Sequence, residues 1–256
     1  MSVVTNDLTS SNFWDVKHGH VRQLAKNSWL RRLVRRKVDR LLTEFLDLPS
    51  SQSSDVLELG CAPGRVIERM HSIHPSHRYH GIDFAEEGTA ATRQILSELR
   101  IAAQIHQGDI RAIELPYQCD LVVSFGLLEH FHDPVPIVRD HIRFCKPGGY
   151  VAVTVPNLAT PVNNALMRWF DPKGVPAHRL EIMHPIAMRD VLVAAGLEDV
   201  RTGGCGGPCL KPKACCSPLF NQVYRGVTAT WNGLAAVVPG NFPWAYQIWG
   251  IGRVPG

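Results

Sequence analysis

The chain has 256 residues, 45% hydrophobic and 20% charged, the balance of a polypeptide that folds around a core. That length fits one α/β domain with embellishments, able to bury about 70% of its unfolded surface without disulfide or metal staples. No apolar run approaches the roughly 20 residues a bilayer demands. The segment Met1 to Ser11 is polar and lacks the apolar stretch of a signal peptide. Of the seven cysteines, Cys61, Cys119 and Cys145 fall in segments that read as core, so reduced thiols and a cytoplasmic location are expected. The net charge of +4 is concentrated in Arg31, Arg32, Arg35, Arg36, Lys37 and Arg40, offset by Asp39.

Residues 21 to 46 read as a helix. Trp29, Leu30, Leu33, Val34, Val38, Leu41, Leu42, Phe45 and Leu46 recur at steps of three and four, and the arginines fill the opposite face. Short apolar runs and helical patterns then alternate. Strands are expected at Val56 to Gly60, at His80 to Asp83, at Ala103 to Asp109, at Asp120 to Ser124 and at Tyr150 to Val155. Helices are expected from Arg65 to Ser72, Glu86 to Leu99, and Pro134 to Cys145, the last followed by a turn at Lys146-Pro147-Gly148-Gly149. This rhythm predicts parallel pairing and a doubly wound sheet. Beyond Asn157 the pattern loosens into a lid over 158–183 with a short helix around Asn163 to Phe170. A helix from Pro185 to Ala195 ends at Gly196. A sixth strand is expected at Leu197 to Thr202 and a seventh at Ala245 to Gly250. Between them lies an insertion, 203–243, with helical spacing from Leu219 to Val238.

The chemistry is carried by Leu57-Glu58-Leu59-Gly60-Cys61-Ala62-Pro63-Gly64-Arg65, a glycine-punctuated turn from first strand to first helix. Glycines let backbone approach a ligand, and a helix N-terminus offers free N–H donors. A dinucleotide fingerprint starting at Gly60 would need glycines where Ala62 and Arg65 stand, and no Gly-Lys-Ser/Thr follows for a phosphate loop.

The segment resembles the first motif of class I S-adenosylmethionine-dependent methyltransferases, E/D-x-G-x-G-x-G. Glu58, Gly60 and Gly64 fit, and Ala62 replaces the central glycine. Further landmarks follow in the family's order. Asp83 and Phe84 end the second strand, where the family places an acid on the ribose hydroxyls. Asp109 and Ile110 end the third, around the adenine. Ser124 and Phe125, followed by Gly126 to Phe131, resemble the fourth strand and its turn. The closest subgroup by pattern includes ubiquinone and menaquinone biosynthesis methyltransferases and natural-product methyltransferases.

The resemblance implies a Rossmann-like doubly wound sheet of seven strands, mostly parallel with the last antiparallel, in a single domain spanning 1–256. An N-terminal helical cap (1–50) precedes the cofactor-binding core (51–157), and the remainder (184–256) completes the sheet. It implies S-adenosyl-L-methionine as cofactor, S-adenosyl-L-homocysteine as product, and a small-molecule acceptor methylated at oxygen, nitrogen or carbon. The implied cofactor-binding residues are Trp14, Glu58, Gly60, Cys61, Ala62, Gly64, Asp83, Phe84, Asp109, Ile110, Ser124 and Phe125. Trp14, with Phe13 and Lys17, belongs to an N-terminal segment that covers the cofactor in similar enzymes. Cys61 reads as a small buried apolar residue, not a nucleophile.

His130 is the first candidate for a catalytic base or acceptor-orienting group, because imidazole titrates near neutrality. Glu129, His132, Asn157 and His184 are lesser candidates. His71, His74 and His77 read as a polar loop without function. No metal is expected, since Cys205, Cys209, Cys215 and Cys216 lack a standard zinc spacing. The apolar insertion helix, with Phe220, Tyr224, Val227, Trp231 and Leu234, is expected to roof the pocket, a homodimer interface being the alternative. Nucleic acid is not an expected partner. The rival readings are an RNA- or protein-modifying methyltransferase docking through the basic helix, and a non-catalytic cofactor-binding subunit.

Overall fold

A computed structural model describes residues 7–9, 29–49, 52–161, 164–165, 168, 177–206 and 245–256. In chain order the elements are α1 (Trp29–Leu46), β1 (Asp55–Leu59), α2 (Arg65–Ile73), β2 (Arg78–Asp83), α3 (Glu86–Glu98), β3 (Ala103–Gln107), β4 (Cys119–Phe125) and α4 (Pro134–Phe144). They continue with β5 (Cys145–Pro156), α5 (Pro185–Ala195), β6 (Glu198–Cys205) and β7 (Gln247–Arg253), and 3-10 turns lie at Leu128–His130 and Leu180–Ile182. The strands form one sheet in the order β3-β2-β1-β4-β5-β7-β6. Neighbours from β3 to β5 pair in parallel, and β7 runs antiparallel to both β5 and β6. This is the Rossmann-like, mostly parallel seven-stranded sheet the sequence implies.

The strand chemistry follows from this order. β1 is flanked on both edges and covered on both faces, so Val56, Leu57 and Leu59 are fully buried, and Glu58 is the one charged side chain buried among them. One apolar layer packs α4 and α5 on the sheet through Ile137, Val138, Phe144, Met188 and Leu192. The other packs α1 and α2 through Leu41, Leu42, Phe45, Leu46, Ile67 and Met70. α1 is tied to α2 by an ion pair between Asp39 and Arg69. Among the described residues, no helix is long and apolar enough to cross a membrane.

Several boundaries differ from the sequence reading. β5 starts at Cys145, so the Lys-Pro-Gly-Gly segment is an irregular start of the strand: Cys145 pairs with Cys119 and the register shifts before Tyr150 meets Leu121. Gly148 has φ +76°, which glycine permits within that irregularity. β6 continues to Cys205, three residues into the expected insertion, and β7 ends at Arg253. Glycines blur the far ends of both strands: a Cβ on Gly250 would lie 2.6 Å from Leu192, and one on Gly203 would lie 2.8 Å from Trp249. The expected helix start at 21–28, most of the lid helix and the insertion helix lie outside the described residues.

The histidines 71, 74 and 77 are not a loop without work. His71 is in α2. His77 is 7% exposed; the Ser54 N–H donates to its Nδ1 (3.2 Å) and its Nε2–H donates to the Leu46 carbonyl (3.2 Å). It staples the end of α1 to the start of β1, and burial pulls its pKa down, keeping the ring neutral.

Candidate active site at the strand ends

The β1–α2 turn is shaped by two glycines in the left-handed region, Gly60 (φ +75°) and Gly64 (φ +82°). A Cβ on Gly64 would come 3.0 Å from Thr92 of α3, so the turn also needs glycine to seat against that helix. The Gly60 and Cys61 N–H groups donate to the Ile82 carbonyl (2.8 and 3.2 Å), which folds the turn over the end of β2. There the Asp83 carboxylate accepts from the Ala62 N–H and the Ala85 N–H, each at 3.0 Å. Asp83 is thereby held in one orientation at the mouth of a cavity.

That cavity encloses about 810 Å³ of space, part of it open to solvent. From the sequence-predicted set it is lined by Gly60, Ala62, Asp83, Phe84, Asp109, Ile110, Phe125 and His130. These come from the ends of β1, β2, β3 and β4, the crevice where open α/β sheets bind ligands. Phe84 is 40% exposed, a large apolar ring left at the rim.

Four predicted residues take other positions. Glu58 lies beneath the turn, 2% exposed; the Ile67 N–H donates to it, and its Oε2 has no hydrogen-bond partner among the described residues. Burial, reinforced by the Asp83 carboxylate, pushes its pKa well up. Cys61 is 2% exposed and its sulfur fills the space over Gly81, consistent with an apolar packing role; burial raises its pKa strongly. Gly64 shapes the helix start without lining the cavity. Ser124 requires correction. Its fully buried hydroxyl donates to Nε2 of His141 (2.9 Å), because Nδ1–H of that ring is committed to the Ile137 carbonyl (2.7 Å). Alternation along β4 turns Ser124 to the core while its neighbour Phe125 faces the cavity. Burial lowers the His141 pKa to about 4, so this pair is a neutral core contact. Trp14, Phe13 and Lys17 lie outside the described residues.

His130 is 4% exposed and lines the cavity. Its Nδ1–H donates to the Ala177 carbonyl (2.7 Å), so the lone pair of the neutral ring is on Nε2, 3.8 Å from Glu129. The lesser candidates mostly take structural positions. Asn157 is buried and donates to the Ala245 carbonyl (2.9 Å), and His184 caps α5 by accepting from the Ile186 N–H (3.2 Å).

Sequence reasoning missed the cavity residues Asp7, Thr9, Arg111, Leu127 and Phe131. Asp7 bridges to Phe131, and the Leu8 N–H donates to the His130 carbonyl (2.8 Å). Arg111 clasps Asp7 (2.9 and 3.1 Å) and also Asp109, holding the Asp109 carboxyl below its usual range. Asp7 and Arg111 are 104 positions apart, so no local pattern could pair them. His178 was missed too; its ring lies 4.8 Å from that of His130.

Sheet order, switch-point cavity and glycine turn define a class of α/β proteins that hold a nucleoside-bearing ligand beyond the strand ends. Within that class the chain belongs to the methyltransferase domain family, whose match covers residues 27–202. Similar curated proteins include the biotin biosynthesis bifunctional protein BioHC of Teredinibacter turnerae, 31% identical over 133 residues, which are 49% of this chain and 23% of that protein. Another is the ubiquinone biosynthesis O-methyltransferase of Pseudomonas aeruginosa, 35% identical over 104 residues, 40% of this chain and 44% of that protein. The chain thus spans less than half the length of these relatives. Among solved structures, magnesium protoporphyrin IX methyltransferase from Synechocystis, with bound SAH, superposes with a TM-score of 0.58 at 10% identity, covering 96% of this chain and 94% of that one. At that identity the likeness shows the fold.

Proposed function

We propose that this protein transfers a methyl group from S-adenosylmethionine to a small-molecule acceptor. The observation that carries the reading is the convergence of Gly60, Asp83, Asp109 and His130 on one cavity at the ends of four consecutive parallel strands. The residues fit the cofactor. A bare glycine turn opens on the cavity at Gly60, and a buried carboxylate oxygen of Glu58 lies beneath that turn with hydrogen-bonding capacity to spare. Named relatives in biotin and ubiquinone biosynthesis support a small-molecule acceptor.

In this reading Asp83 accepts from the two ribose hydroxyls, at about 1.5–3 kcal/mol for a charge-assisted bond. Asp109, Ile110 and Phe84 flank the base, and Gly60 and Ala62 let the backbone approach. When bound, S-adenosylmethionine supplies a methyl group activated by a sulfonium. The chain must align the acceptor and exclude water, which alone can lower a barrier by several kcal/mol. His130 is the group placed to orient the acceptor or take its proton, because the Ala177 carbonyl fixes which nitrogen carries the lone pair. The apolar residues Phe125, Leu127 and Phe131 form the wall on that side.

Calorimetry with S-adenosylmethionine, S-adenosylhomocysteine and NADH tests the reading. Both adenosyl compounds are expected to bind and to raise thermal stability by linkage. Absence of binding, or binding of NADH instead, would overturn it.

A further inference from the structure

The turn after β4 and the start of the 177–183 segment bring Glu129, His130 and His178 together. One donor atom from each lies within 4.8 Å of the others, and Nε2 of His130 is 3.8 Å from Oε1 of Glu129. We propose that these three side chains form a binding site for a late first-row divalent cation, zinc foremost, in the cavity wall.

Three features support this. First, the donor set is two imidazoles and one carboxylate, a combination that binds zinc with a further position left for water or another oxygen donor. Zinc–ligand distances near 2.1 Å place donors about 3.2–3.6 Å apart, so closing the cluster takes movements of around 1 Å or less. Second, the His130 Nδ1–H is already donated to a backbone carbonyl, that of Ala177. Metal-ligating histidines are commonly held in this way, since the bond fixes the tautomer and aims the other nitrogen. Third, the two halves of the site are locked together by backbone: the Arg179 N–H donates to the Glu129 carbonyl at 2.7 Å. His178 is thereby kept opposite the Glu129 carboxyl group, which is 2% exposed, and a buried carboxyl beside two imidazoles is a donor set that a cation would complete.

The site departs from the sequence expectation of no metal, because His178 is 48 positions from His130 and only the fold brings the rings together. It deepens the methyltransferase reading, on which its consequence rests: with Nε2 of His130 engaged as a ligand, a cation here would replace the free imidazole in anchoring an acceptor oxygen and easing loss of its proton.

Titration of the metal-free full chain with Zn²⁺ by calorimetry, and with Co²⁺ by visible absorption, tests the assignment. One ion per chain is expected, with cobalt d–d bands of a four- or five-coordinate site. His178→Ala, at a partly exposed position, is expected to weaken binding at least tenfold and change the cobalt spectrum, with the thermal melt of the metal-free variant checking that it folds. Failure of both ions to bind stoichiometrically would overturn the proposal. So would binding that His178→Ala leaves unchanged but that serine replacement of Cys205, Cys209, Cys215 and Cys216 removes. S-adenosylmethionine binding, measured separately on the same protein, reports on the methyltransferase reading alone.

Discussion

The two ends of the central sheet use the same residue types in opposite ways. At the amino ends of the strands, Asp55 meets Arg78 twice at 2.7 Å and His80 at 3.2 Å, and Asp120 meets Lys146 at 2.8 Å. Tyr117 joins His80 and His106 to this network through its hydroxyl (3.0 and 2.9 Å). At the carboxyl ends, Glu58 is buried beside another carboxylate and Asp83 is bound by backbone N–H groups. The electrostatic results diverge accordingly: the Arg78 guanidinium, with the His80 hydrogen bond beside it, holds the Asp55 carboxyl down at about 2, whereas burial and Asp83 push Glu58 up. A carboxylate matched by cations serves the fold. One kept in poor solvation at a cavity is the arrangement expected where a ligand completes the site.

The comparison can be broken most directly at Asp83. Asp83→Ala is expected to weaken S-adenosylmethionine binding about ten- to a hundredfold by calorimetry, from the charge-assisted bonds it would make. Unchanged affinity would place the ribose elsewhere. His130→Ala should lower transfer of labelled methyl groups to acceptors in a small-molecule extract by about tenfold or more, while cofactor affinity stays within a few-fold. Equal loss of both would make His130 a wall residue.

At the other end, Asp55→Asn should lower unfolding free energy by about 1–2 kcal/mol at neutral pH without altering cofactor affinity, the exposure of Arg78 limiting the effect. The folded carboxyl lies below its ordinary value of 3.8, so its stabilisation is present above that value and is lost as pH falls toward about 2. Denaturant titrations between pH 5 and 2 should therefore show a steeper decline for the wild type than for the variant. The smallest effect is expected at Glu58, with opposite sign. Its raised folded pKa means that ionisation destabilises the ligand-free fold as pH rises above the ordinary carboxyl range. Glu58→Gln should raise the melting temperature slightly at neutral pH while weakening cofactor binding. A lowered melting temperature would show that the ionised carboxylate contributes to the fold.

Much of this contrast was legible in the chain itself. The alternation of apolar strands with amphipathic helices determined a doubly wound sheet, because a strand covered on both faces must be largely apolar, as Leu121 to Val123 is. The Glu58-to-Gly64 turn and the acids at 83 and 109 marked the cavity end, since turn glycines and strand-end acids are local features. Tertiary structure decided what depends on distant partners. It turned Ser124 into a core hydroxyl on His141, brought Asp7 to Arg111, and set His178 against His130. It also carried β6 and β7 through glycines that show no alternation, where Trp249 of β7 and Leu192 of α5 occupy the space a Cβ would need. Local pattern records which face of an element is apolar. Which residue from elsewhere meets that face is fixed only when the layers close.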